Sequence, residues 1–270
     1  MASLRGQGYA VLRGVFVAEE IADASARIDR LLGRVGRPPP GTWGLDGAEV
    51  VVGEDGAVAR VVWVAGADDG LDAFTRDRRL VGIASAALGG TEFEQLISQL
   101  HPKEPGDGVA FGWHQDAVHR RFGTPLWHDP HRSGRYLQCL VAIDPCGPDN
   151  GPLEFVPHSH LRGPLAHDER RVLPDGAFDR DAARMANLAP GDVAIFGPFT
   201  IHGSGPNRGQ RSRRVLVSGF ALPGTNSRRY PGSTAGRHVS LARRDPRWPR
   251  AAGIVSLPSI SENDLPHLPF

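Results

Sequence analysis

Between Val17 and Gly33 the apolar positions Ile21, Ala24, Ile28, Leu31 and Leu32 recur at helical spacing. That period predicts a helix with one buried face. Glu19 and Glu20 fall in its first turn, where the helix dipole favours acids, and Gly33 is the expected stop. Ahead of it, GYAVLRGVF (8–16) has the short apolar run of a strand. GRPPPGTWGLDG (36–47) reads as a loop, because three prolines admit little else. AEVVVGEDGAVARVVWVAG (48–66) is a hairpin pattern with its turn at Gly53 to Gly56. DAFTRDRRLVGIASAALG (72–89) predicts a helix, and TEFEQLISQLHP (91–102) a strand or a helix running into one. RYLQCLVAID, GPLEFVPHSH, DVAIFGPFTIHGSG and RRVLVSGFAL are four further strand candidates, bounded by Gly, Pro, Asn or Asp. Many short strands with regular turns imply an all-β core with flanking helices, a sandwich or a barrel.

Two stretches break this rhythm. An insertion at about 117–135 is rich in His, Arg and aromatic residues, and a tail at about 223–270 is dense in Pro, Arg and Ser. Long loops in compact domains are functional or disordered, so the first is expected to be a lid and the second an irregular extension. The 270 residues fit one β domain spanning 1–270. A net charge of +1 supplies no global field for nucleic acid or a membrane surface. No apolar run is long enough to span a bilayer, and no secretory leader pattern opens the chain. The two cysteines, Cys139 and Cys146, form no disulfide framework. They predict reduced thiols in a cytoplasmic protein. The chain is expected to be a monomer or a homodimer. Lys103 is the only lysine.

GWHQDAVHRRF (112–122) carries the candidate chemistry. In extended backbone, residues i and i+2 share a face, so His114 and Asp116 reach one point while Gln115 looks away. Further on, His202 sits at the end of an apolar run, before a Gly-Ser-Gly turn and an Arg pair. Two histidines and a carboxylate form the facial triad of non-haem Fe(II) oxygenases. Zinc accepts the same ligands, so a zinc hydrolase and a non-catalytic metal-binding jelly roll are alternative readings.

His-X-Asp, the distant His in IHGSG and an Arg eleven residues beyond it resemble the phytanoyl-CoA dioxygenase family of Fe(II)/2-oxoglutarate oxygenases. NGPLEFVPHSH, APGDVAIF and the opening GYAVLRGVFVAEEI resemble further segments of that family, in order over roughly residues 6 to 222. The resemblance implies a double-stranded β-helix, the cupin-like jelly roll. It implies that His114, Asp116 and His202 hold Fe(II), and that Arg213 binds the far carboxylate of 2-oxoglutarate, with Ser204 and Gln99 assisting. Arginine suits that carboxylate better than lysine because its fork binds bidentately. Arg214 should face the other way, as a solvated arginine. With O2 as the second co-substrate, the implied reaction is oxidation of an unactivated C–H bond by hydroxylation or oxidative ring closure. Related halogenases replace the carboxylate by Ala or Gly, so Asp116 implies no halogenation.

Trp113, His119, Arg121 and Trp127, with Gln138 on the following strand, are the candidate substrate contacts. Aromatic faces beside hydrogen-bonding groups suit a polar small molecule, with a sugar-containing secondary metabolite preferred. Hydroxylation of an amino acid or other small acid is the alternative. His158 and His160 read as structural, and His101, His167, His238 and His267 as surface histidines.

Overall fold

The protein is described here from a computed structural model covering residues 1–129, 134–227 and 236–241. His131 of the insertion, His267 and most of the tail lie outside the described residues. In chain order the strands are β1 (Tyr9–Leu12), β2 (Gly41–Leu45), β3 (Ala48–Val52), β4 (Val58–Val62), β5 (Glu92–His101), β6 (Phe111–His114) and β7 (Tyr136–Ala142). They continue as β8 (Glu154–Phe155), β9 (Arg184–Met185), β10 (Val193–Phe196), β11 (His202–Ser204), β12 (Val215–Ala221) and β13 (Arg237–Ser240). The helices are α1 (Ala2–Gln7), α2 (Ala18–Val35), α3 (Asp69–Thr75), α4 (Arg78–Leu88) and α5 (Asp116–His119).

The strands form two sheets. The larger runs β1-β10-β7-β12-β5-β4-β3-β2, with β13 also paired to β5, and the smaller runs β6-β11-β8-β9. All pairings are antiparallel. This is the expected jelly roll. All seven residues of β7 are buried. Leu137, Cys139 and Val141 face the helices and pack with Ile28, Leu80 and Ile83. Leu140 and Ala142 face the interior with Phe155, Phe196 and Val217. A strand covered on both faces reads as a continuous apolar run, as RYLQCLVAID does.

Several elements differ from the sequence expectation. The first long helix continues through Gly33 to Val35 and stops at Gly36. The proline-rich loop yields β2, because its last residues find a ladder along β3. The helix expected over 72–89 is two helices, with Asp77 capping the second by accepting from Arg79 N at 2.8 Å. DVAIFGPFTIHGSG turns after Phe196, so β10 and β11 lie in different sheets and His202 opens a strand rather than ending one. The described part of the tail is not wholly irregular, since β13 pairs with β5.

Phe155 joins the two sheets. It is fully buried, stacks on Tyr9 at 4.3 Å and meets Phe196 edge-on at 5.0 Å. Phe155→Ala leaves a cavity there and is expected to cost about 3–5 kcal/mol. A denaturant titration should show a lowered midpoint with an unchanged slope.

Candidate metal centre

The site starts from one cross-strand pair. In the smaller sheet His202 of β11 lies directly opposite His114 of β6, which brings their ring centroids to 4.2 Å. Asp116 opens α5 two residues past His114, and its Oδ1 lies 3.8 Å from His114 Nε2. The candidate ligand atoms of His114, Asp116 and His202 all fall within 4.8 Å of one another.

The residue between the first two ligands fixes them. Gln115 is fully buried on the opposite side of the backbone. Its amide donates to Phe199 O at 2.6 Å and Gly163 O at 2.9 Å, and its oxygen accepts from Leu165 N at 2.8 Å. Its own N–H reaches His167 Nε2 at 3.1 Å, so His167 is a structural partner and not a surface histidine.

The donor set suits a metal. His114 Nδ1 faces Gly112 O at 2.7 Å and His202 Nδ1 faces Thr200 O at 2.9 Å. A carbonyl only accepts, so each Nδ1 carries the proton and each Nε2 keeps its lone pair. Asp116 Oδ2 is buried with no hydrogen-bond partner. Burial, then the nearby His202, pushes the His114 imidazole down to about 4. Burial opposes ionisation of Asp116, but the charges of His202, His114 and Arg120 outweigh it and hold its carboxyl below the usual range. Imidazole nitrogens that keep a lone pair beside an ionised carboxylate are a donor set that binds a cation.

A cavity of about 650 Å³ opens on this cluster. Arg213, Ser204, Gln99, His119 and Gln138 all line it. Arg213 is buried; its Nη2 donates to Gly151 O at 2.6 Å, its Nε is unpartnered, and no carboxylate pairs with it among the described residues. Gly151 lets its loop pack closely on the backbone of residues 205–206: its φ is 68°, and a Cβ there would lie 2.3 Å from Gly205 O. Arg214 faces away as expected, but it is not a solvated side chain. It pairs with Asp144 at 2.7 Å, bonds Ser25 at 2.8 Å and also pairs with Asp29.

The other candidates fall elsewhere. Trp113 packs on Phe178, Trp127 is buried against Tyr136, and Arg121 is an exposed turn residue, so none of the three lines this cavity. Reasoning from sequence missed three contributors. His101, expected at the surface, lines the cavity beside Gln99, which bonds it at 2.9 Å. Period-two spacing along β5 carries both inward. Thr42, Glu49, Val51, Arg60 and Val62 form a second wall, contributed by the β2–β4 hairpin. Lys103 lies fully buried behind Ser204 and donates to its Oγ at 2.7 Å and to Gly205 O.

A jelly roll that places two imidazoles and a carboxylate in one cavity with a buried, carboxylate-free arginine defines a class, the non-haem Fe/2-oxoglutarate-type oxygenases. The phytanoyl-CoA dioxygenase (PhyH) family matches residues 4–215, and the chain belongs to that family. It is 32% identical over 137 residues to a methylphosphonate hydroxylase of Gimesia maris, a match covering 49% of this chain and 46% of that protein. It is 28% identical over 220 residues to an ectoine dioxygenase of Stutzerimonas stutzeri, covering 74% of this chain and 68% of that one. The chain thus spans about half of the first relative and two thirds of the second. The fold is shared with the epimerase SnoN in complex with Fe3+, alpha-ketoglutarate and nogalamycin RO, at a TM-score of 0.64 and 20% identity over 92% of this chain and 95% of that one. It is also shared with EvdO2 of Micromonospora carbonacea var. aurantiaca complexed with 2-oxoglutarate, at 0.62 and 24% over 91% and 93%. Among the described residues no helix is long and apolar enough to cross a membrane.

Lys103 makes the site's effect on stability testable. Burial, then the charge of Arg213, pushes its amine down to about 6 from the ordinary 10.5. Between those values the unfolded chain holds a proton that the folded chain lacks, so stability rises with pH through the window. The slope is about 1.4 kcal/mol per pH unit. Denaturant midpoints at pH 7 and pH 9 should show this gain in the wild type, and Lys103→Met should lose it.

Proposed function

We propose that the chain, acting as one oxygenase domain, oxidises an unactivated C–H bond of a polar small molecule held between the metal centre and the β2–β4 wall. The observation that carries this reading is the shared cavity: the three metal-ligand candidates and the unpaired Arg213 face the same space. A hydrolase has no use for a buried arginine without a carboxylate, whereas a dicarboxylate co-substrate needs one.

His114, Asp116 and His202 would hold Fe(II), leaving adjacent positions open on one side. When bound, the metal with 2-oxoglutarate and O2 supplies an oxidant able to break a C–H bond, with succinate and CO2 as by-products. The chain's own residues set the stage. Arg213 anchors the far carboxylate of the co-substrate, and Ser204, its oxygen engaged by Lys103, faces the same space. Gln99 and His101 fill the wall beside it. Gln115 keeps His114 and Asp116 from rotating apart. With Asp116 as a ligand no place would be left for a halide, so the outcome proposed is hydroxylation or ring closure rather than halogenation.

The cavity volume and its polar wall support a sugar-sized polar substrate, including a sugar-containing secondary metabolite. The named relatives act on smaller charged molecules, methylphosphonate and ectoine, and favour the second reading, a small acid or zwitterion.

Two experiments test the centre. Anaerobic addition of Fe(II) and 2-oxoglutarate should produce a weak visible charge-transfer band that needs both, and His202→Ala or Asp116→Ala should lose it while the far-ultraviolet circular dichroism is unchanged. A protein that forms no band yet binds zinc tightly would falsify the oxygenase reading. Arg213→Ala removes a charge-assisted bidentate contact and should raise the 2-oxoglutarate concentration needed for half-maximal band by about 100-fold or more, with Fe(II) affinity retained.

A further inference from the structure

The charges around the cavity do not balance. Under the reading above, on which this inference rests, Asp116 serves the metal and Arg213 the co-substrate. What remains on the wall is Arg60, Arg120, Arg170 and Arg171 against Glu49 and Glu169. Arg60 and Arg171 make no close ion pair and no side-chain hydrogen bond among the described residues, although the charge of Glu49 acts on Arg60 from the same wall.

These two arginines come from different walls. Arg60 stands on β4 in a row with Thr42 and Val51, the cavity-facing row of the hairpin. Its charge reaches His101 on the adjoining strand. Arg171 belongs to a turn closed by three hydrogen bonds of 2.9 Å, all between Asp168 and residues 171–172. Leu173 N donates to Trp113 O at 2.7 Å, which ties that turn to the metal-bearing strand β6. Gly112 makes the approach possible, because a Cβ there would lie 2.7 Å from Val172 Cγ1. Arg171 itself holds a φ of 64°, a left-handed conformation that non-glycine residues seldom adopt.

Its charge is felt both by Arg60 and by His119, which meets His114 edge-on at 5.1 Å. Partial burial, then the charge of Arg171, outweighs the opposing charge of Glu49 and holds the Arg60 guanidinium below its ordinary range. Two cations facing one space repel each other, Glu49 offsets only part of that repulsion, and an anion between them reverses the sign of the interaction. We propose that Arg60 and Arg171 form an anion clamp across the cavity mouth, and that the substrate carries an oxyacid group, phosphonate, phosphate or carboxylate, which the clamp holds while a C–H bond lies at the metal centre. Arg60 supplies the hairpin side of the grip and Arg171 the metal side. Planar guanidinium forks match such oxygens bidentately.

The test uses anaerobic protein saturated with Fe(II) and 2-oxoglutarate, so that Arg213 is already occupied. Methylphosphonate, inorganic phosphate, acetate and glycerol are titrated in turn by calorimetry. At least one of the three anions should bind, and glycerol should not. Arg60→Gln and Arg171→Gln should each weaken that binding by at least 10-fold while leaving the charge-transfer band intact. Arg180→Gln, which removes an exposed arginine paired with Asp175, should leave it unchanged. A preference for methylphosphonate over acetate assigns a phosphorus oxyacid; the reverse assigns a carboxylate; better binding of methylphosphonate than of inorganic phosphate separates an organic ligand from the free ion. No anion binding above glycerol, or binding indifferent to both arginine substitutions, overturns the clamp. Absence of the charge-transfer band itself would instead sink the oxygenase reading beneath it.

Discussion

Everything at this site hangs on the antiparallel pairing of two short strands. β11 has three residues and β6 has four, yet their register puts His202 opposite His114. A slip of one residue would turn a ligand to the other face of the sheet. The pairing is therefore buttressed from several sides. β8 adds a second partner to β11, with Phe155 beside His202. Val156 N donates to Ile201 O at 3.0 Å, and Ser159 Oγ accepts from Ile201 N at 2.9 Å. The apolar interior supplies the weight that holds the small sheet against the large one, and the polar bonds set its register.

Behind the ligands, polar groups are buried in numbers that an apolar core alone would not tolerate. Gln115, Lys103, Arg213 and Asn207 are each less than 5% exposed. Nearly all of their groups are satisfied by backbone carbonyls and amides of the surrounding loops. Asn207, for example, donates to Lys103 O at 2.9 Å and Arg211 O at 2.8 Å. These bonds fix irregular segments that have no ladder of their own. Two of the unsatisfied buried atoms, Asp116 Oδ2 and Arg213 Nε, lie on groups that face the cavity.

Much of this was legible in the chain. The jelly roll could be read from strand-length apolar runs and from the family resemblance, and the two-residue spacing of His114 and Asp116 carried its own geometry. Arg214 could be assigned to the opposite side of Arg213 by alternation alone, although its ion pairs with Asp144 and Asp29 could not, because those partners are 70 and 185 residues distant. The same limit hid the hairpin wall. That β4 joins β5 is a pairing across the whole α3–α4 segment, and no local pattern specifies it. Trp127 misled for a different reason: an aromatic in a loop rich in histidine looks like a ligand contact, but a large apolar ring is more readily buried against Tyr136 than left at a cavity mouth.

The hairpin wall has a consequence for how such a protein can change. Along β3 and β4, residues facing the helices are core, with Val50, Val52 and Val61 all buried, while Glu49, Val51, Arg60 and Val62 between them face the cavity. Selection on ligand preference can therefore act on every second residue of one ribbon while the interleaved positions preserve the fold. The metal-bearing strands sit in the other sheet and share no ladder with that ribbon. On the proposed function, substrate preference and metal chemistry would rest on separate pieces of chain, and a lineage could exchange one substrate for another without renegotiating the chemistry.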